Sequence, residues 1–279
     1  MQTMEAAFFD LDKTVIAKAS VAAFGRTLYN EGLISKRVLL RTAAGHLIFL
    51  QMGADHARLE KIRRRMLMIT KGWDRERVST IVREALAEIL EPIIYKEALD
   101  LIEGHQAAGR RVIIISSSPE EIVKPLAEFL GADDAIGSKA QVENGRYTGH
   151  LDFYAYGPAK ADAIRSMAEE QEIDLAASFA YSDSHTDIPM LEAVGNPVAV
   201  NPDKEMMRVA RANHWPILQF THPMPTSEER ANRRIRIATG VMAVSAGTTL
   251  VMGTAYLRAN LEIKKLRQDL AGLGDRRLR

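Results

Sequence analysis

Residues 6–14 read Ala-Ala-Phe-Phe-Asp-Leu-Asp-Lys-Thr. A short apolar run ends in two acids. Because Ala6 to Asp10 shows no polar alternation before its acid, it predicts a strand buried on both faces, as in a parallel sheet covered by helices. Arg111 to Ser116 (RVIIIS) has the same character, β-branched and closed by a serine. Phe179 to Tyr181, running into Ser182-Asp183, and Pro197 to Val200 predict two further short strands.

Helical signals lie between these runs. Val78, Ile81, Val82, Ala85, Leu86 and Ile89 recur at helical spacing behind an N-cap candidate, Asp74, and the whole stretch from about 15 to 90 reads as helical. Tyr95 to Ala108 predicts a helix stopped by Gly109, Pro119 to Leu130 one stopped by Gly131, Lys160 to Gln171 a third and Ile188 to Val194 a short fourth. Asn144-Gly145 between Val142 and Tyr147 is the preferred two-residue hairpin turn. Strands alternating with helices predict an α/β fold with a parallel sheet. Ligands of such sheets gather at the carboxyl ends of the strands. Asp10, Asp12, Ser116 and Asp183 all stand at such ends.

The chain has 279 residues, no cysteine, and 37 basic against 36 acidic side chains, a net charge of +1. The missing cysteines exclude disulfides, cysteine-ligated zinc and thiol nucleophiles. The near-zero net charge argues against a nucleic-acid partner. The first residues lack a basic segment followed by a long apolar one, so no signal peptide is expected. Past Asn213 the character changes. Pro216, Pro223 and Pro225 mark a linker, assigned to residues 216–236. Residues 237–257 then carry no charge, and a basic tail, 258–279, closes the chain. As helix, residues 237–257 would span roughly 31 Å, the thickness of a bilayer's hydrocarbon core. The expectation is a membrane anchor on a cytoplasmic catalytic body. The rivals are a helix lying in the membrane interface and an apolar helix packed on that body.

Asp10 and Asp12 suggest a division of labour. A carboxylate at a strand end can attack phosphorus. A second one, two residues on, can protonate the leaving oxygen and later activate water. Taken alone, an Asp-x-Asp is as readily a turn or a helix cap. But Asp10-Leu11-Asp12-Lys13-Thr14 resembles the first motif of the haloacid-dehalogenase-like hydrolases. Ile113-Ile114-Ile115-Ser116, Lys160 in Gly-Pro-Ala-Lys, and Tyr181-Ser182-Asp183-Ser184-His185-Thr186-Asp187 resemble the other three motifs, in order. The likeness covers roughly residues 5–215 and is nearest to the phosphoserine-phosphatase-like branch.

That resemblance implies a Rossmann-like core from residues 1–15 and 91–215, with residues 16–90 inserted as a helical cap of the C1 type. It implies a phosphatase with Asp10 as nucleophile and Asp12 as acid and base. Ser116 and Lys160 would bind the phosphoryl group, and Ser117 would add its backbone N–H at a helix entrance. Mg²⁺ is the implied cofactor, with Asp10, Asp12, Asp183 and Asp187 as its acids. Asp183 is read as a direct ligand, while Asp187 binds through water or only orients Lys160. The expected partner is a small phosphorylated substrate, and a homodimer is left open. One departure bears on the substrate. Phosphoserine phosphatases carry a glutamate soon after the first motif, where this chain has Ala17-Lys18-Ala19-Ser20. A lysine has the wrong sign for an ammonium group. A phosphomutase and a catalytically silent tethered scaffold are the alternative readings.

Overall fold

The computed structural model describes residues 4–35, 64–65 and 67–221. The chain divides into units 1–224 and 225–279, so the apolar stretch 237–257 lies outside the described residues. Among the described residues no helix is long and apolar enough to cross a membrane.

Seven strands form one sheet: β1 (Ala6–Asp10), β2 (Arg111–Pro119), β3 (Asp134–Glu143), β4 (Arg146–Phe153), β5 (Phe179–Ser182), β6 (Asn196–Val200) and β7 (Ile217–Leu218). Their spatial order is β4-β3-β2-β1-β5-β6-β7. Every pairing is parallel except that of β3 with β4. The described helices are α1 (Ser20–Ala23), α2 (Gly25–Asn30), α3 (Arg75–Leu90), α4 (Lys96–Ala107), α5 (Glu120–Leu130), α6 (Pro158–Gln171), α7 (Ile188–Leu191) and α8 (Lys204–Ala212). The α/β class and parallel sheet expected from the sequence are thus present. The first four of these helices lie between β1 and β2.

Both faces of the sheet are covered, which is why β1 carries no alternation. All five of its residues are buried. Ala7 and Phe9 join Val112, Ile114, Val82, Leu86, Ile102 and Leu126 in one apolar layer. Ala6 and Phe8 join Ile113, Ile115, Ile164, Met190 and Met206 in the other. A core strand covered on both sides must be apolar at every position.

Asp74 caps α3 as expected, its side chain accepting from the Arg77 N–H at 3.0 Å. The hairpin turn also falls where expected, with Asn144 and Gly145 both at positive φ (49° and 76°), as its turn type requires. Among the boundaries that differ from the sequence reading, two are more than a shift of a helix end. The strand that begins at Arg111 runs on to Pro119, so α5 starts at Glu120. And Ile217–Leu218, read as linker, is the edge strand β7 on β6. The Asn201 side chain secures that edge by bonding Phe220 through both its amide nitrogen and its oxygen (3.2 and 2.8 Å). Gly137 in β3 passes the first turn of α5 so closely that an added Cβ would sit 2.7 Å from the Glu120 Cα. Only glycine lets these backbones approach.

Candidate active site

β1 lies where the chain reverses its direction across the sheet, with β2 on one side and β5 on the other. A crevice opens at the carboxyl ends on such a reversal. Asp10 closes β1 there, opposite Ile115 of β2. β5 delivers Ser182 and then Asp183, and the turn that follows holds Asp187. α6 begins with Pro158 and brings Lys160 in on its first turn.

Lys160 is the hub. Its Nζ lies 2.6 Å from Asp10 Oδ1 and 2.7 Å from Asp187 Oδ2, and Ser182 Oγ donates to the same Asp187 oxygen at 2.7 Å. Asp10, Lys160, Ser182 and Asp187 are all buried. Burial works against the ammonium, but the two carboxylates outweigh it and hold the Lys160 pKa above its usual value. Lys124, on α5, pairs instead with Glu120 at 2.7 Å. Lys160 thus fixes one of the two Asp10 carboxylate oxygens, and among the described residues no hydrogen bond is seen at the other.

Asp12 points elsewhere. Its Oδ1 accepts the Ser20 N–H at 2.8 Å, and its Oδ2 accepts the Ser118 hydroxyl at 3.3 Å. Burial raises its pKa, opposed by these hydrogen bonds. Both oxygens are thus engaged by serines, and the charge of Lys160 also acts on this carboxyl.

Ser116 is buried, and its Oγ accepts the Ser118 N–H at 3.1 Å. Its own proton is thereby left to donate to a ligand. Ser117 does not stand at a helix entrance. The ladder between β2 and β3 slips between Ile115 and Pro119, and the Ser117 carbonyl is held by Ser138 Oγ at 2.7 Å. Since α5 starts three residues later, helix-terminal amides do not explain a phosphate contact at Ser117. His185 is exposed and bonded to Asp203, with Nδ1 at 2.7 Å from Oδ2.

The donor set fits a hard divalent ion. Asp10, Asp183 and Asp187 offer carboxylate oxygens against the single charge of Lys160. Burial, helped by Asp187 and Asp203 and opposed by Lys13, pushes Asp183 up to about 7. Asp10 is raised too, by burial first and then by Asp187 and Asp183. An ion of charge +2 would relieve both. Among the described residues no group of three or more histidine, cysteine, aspartate or glutamate side chains is arranged to hold a metal ion by itself. Mg²⁺ does not need one, since it keeps waters and takes phosphate oxygens as further ligands.

Sequence reasoning did not identify Ser20 or Ser118. Ser118 was visible only as the last of three serines, and Ser20 carried no local signal.

A family model for haloacid dehalogenase-like hydrolases matches residues 7–192. The chain is 46% identical over 242 residues to the "inhibition of morphological differentiation protein" of Streptomyces azureus, covering 86% of this chain and 87% of that one. It is 43% identical over 247 residues to a probable phosphatase of Mycobacterium tuberculosis, covering 87% and 86%. Its fold is similar to that of a phosphoserine phosphatase in complex with substrate, with a TM-score of 0.55 at 18% identity over 80% of this chain and 96% of that one. The chain belongs to the haloacid dehalogenase-like hydrolases and is an enzyme of their phosphatase type.

Proposed function

We propose that the enzyme hydrolyses a small phosphomonoester through a phosphoryl group carried on Asp10, with Mg²⁺ as cofactor. The observation that carries this is the buried Asp10–Lys160–Asp187 cluster at the carboxyl end of the central strand, in which Lys160 holds one Asp10 oxygen. Asp10 Oδ2 attacks phosphorus in line. Lys160, held by Asp187, fixes the other oxygen and offsets the charge of the transferring group. Asp12 gives its proton to the leaving oxygen, then takes one from the water that cleaves the acyl phosphate. Ser116 donates its hydroxyl proton to a phosphoryl oxygen. Mg²⁺, held by Asp10 and Asp183 with Asp187 nearby, would neutralise negative charge and align the phosphoryl group.

The substrate's other half is a phosphoserine-like or lipid-derived group. Of these two, Lys18, at the stretch where phosphoserine phosphatases carry an acid, favours the lipid-derived group. The stretch 237–257 would tether the enzyme to a membrane.

The decisive experiment is rapid quenching with a ³²P-labelled aryl phosphate. Acid-stable, hydroxylamine-labile label should appear on the wild type, require Mg²⁺ and vanish with EDTA. It should be absent from Asp10→Asn, whose amide cannot attack, while the circular dichroism stays native. Steady turnover by that variant would remove Asp10 from its role. A screen of amino-acid, sugar, nucleotide and lipid phosphates then names the substrate class. Full-length protein should pellet with membranes through a high-salt wash, and recovery in the soluble fraction would refute the tether.

A further inference from the structure

Asp12 is held by two serines that belong to different parts of the chain. Ser20 opens α1 in the insert, and Ser118 lies on the slipped end of β2. Their hydroxyl oxygens are 2.7 Å apart, and both side chains are buried. The Ser118 hydroxyl donates to Asp12 Oδ2 at 3.3 Å, either hydroxyl can donate across the contact between the two serines, and the Ser20 side chain also acts on the Asp12 carboxyl. The Ser20 N–H takes the other carboxylate oxygen at 2.8 Å. The Ser118 N–H bonds Ser116 Oγ at 3.1 Å, which ties the same network to the phosphate-binding serine. A buried pair of hydroxyls is stabilising only when fully bonded, and here every bond in the relay ends on Asp12 or Ser116.

We infer that Ser20 and Ser118 are positioning residues that aim the Asp12 carboxyl at the leaving-group oxygen, so that docking of the insert's first helix sets up the proton transfer. The inference rests on the reading of Asp12 as acid and base. In the first half-reaction the Asp10–phosphorus bond forms and the bond from phosphorus to the leaving oxygen breaks. The Asp12 proton goes to that oxygen, and the alcohol departs. In the second half-reaction water attacks phosphorus, gives its proton to Asp12 and releases Asp10 and phosphate. A misaimed carboxyl costs most where the leaving oxygen most needs the proton.

Phenyl phosphate and p-nitrophenyl phosphate have nearly the same shape and differ in how well the leaving group stands without a proton. The test measures kcat/KM for both with the full-length protein and Mg²⁺. Ser118→Ala and Ser118→Cys should lose about tenfold more activity on phenyl phosphate than on p-nitrophenyl phosphate, on the scale of one hydrogen bond to a charged group. Ser118→Thr, which keeps the hydroxyl, should restore the wild-type ratio. Ser20→Ala should move the ratio the same way but less, because its backbone N–H remains. Equal losses on both substrates, or none, would overturn the inference. Asp12→Asn separates the two levels. If it shifts the ratio strongly and the serine variants do not, only the positioning role fails. If Asp12→Asn leaves the ratio unchanged, the acid–base reading fails and the inference with it.

Discussion

Two regions of this protein bury titratable groups beside the same central strands, and they treat charge in opposite ways. At the carboxyl end of β1, Lys160 lies between Asp10 and Asp187, and all three stay buried. Along the strands, His105 of α4 packs among Phe9, Phe179 and Tyr181, with Nε2 at 2.7 Å from the Tyr181 hydroxyl. There burial, helped by the nearby charge of Arg110, lowers the histidine pKa to about 4. The first region keeps its charges by pairing them, and the second discards its charge. Burial alone therefore does not mark a site. Opposed charges kept against burial, at the end of the sheet where strand order reverses, do mark one.

The comparison breaks most visibly at Lys160. Lys160→Met would leave the Asp10 and Asp187 carboxylates facing each other without their shared partner. Removing one member of a buried ion pair costs about 3–5 kcal/mol. Urea unfolding should register a loss of that order, and phosphate release should fall to background. A Lys160→Met protein of wild-type stability would mean that the cluster is not held together by its charges.

His105 sharpens the other side. Its Nδ1 is buried with no hydrogen-bond partner. Whichever tautomer bonds Tyr181, protonation would leave an N–H at Nδ1 unsatisfied. The folded pKa lies below the unfolded value near 6.5, so at low pH the unfolded chain binds the proton more readily. This group's stabilisation is complete above about pH 6.5 and is lost as pH falls toward 4. Buried acids with raised pKa values pull the other way, so the clean measurement is a difference. Unfolding free energies of wild type and His105→Gln, taken at pH 7 and pH 5, should diverge by about 2 kcal/mol, with the wild type losing more. Parallel pH dependences would place the histidine's titration elsewhere.

What the sequence made legible follows from range. β1 and β2 could be read because burial on both faces leaves an unbroken apolar run. Asp10, Lys160 and Asp183 could be read because each sits at a strand end or a helix start within a recognisable local pattern. The β2 extension was not legible, because Ser116-Ser117-Ser118-Pro119 looks like a helix entrance. Its slipped strand geometry depends on pairing with β3, which lies further along the chain. β7 was hidden by Pro216 and by its two-residue length. The contact between Ser20 and Ser118 spans 98 positions, and no local spacing encodes it.

The smallest expected effect lies where the insert meets the core. Arg75, in the first turn of α3, bonds Glu120 at 2.8 Å and Glu121 at 3.1 Å, both in the first turn of α5. On geometry this resembles the Lys160 cluster, with one cation between two buried carboxyls. The difference is water. The Arg75 side chain is 46% exposed, against 3% for Lys160, so solvent can replace much of what it provides, and Lys124 already pairs with Glu120. Exposed pairs contribute about 0–1 kcal/mol. Arg75→Ala should therefore lower stability by about 1 kcal/mol, with kcat on an aryl phosphate near the wild-type value. Unfolding at low and high salt checks the cause, because screening should erase the difference between wild type and variant. A loss comparable to that of Lys160→Met would show that partial exposure does not separate the two clusters, and that the joint between α3 and α5 is as closely charge-held as the active site.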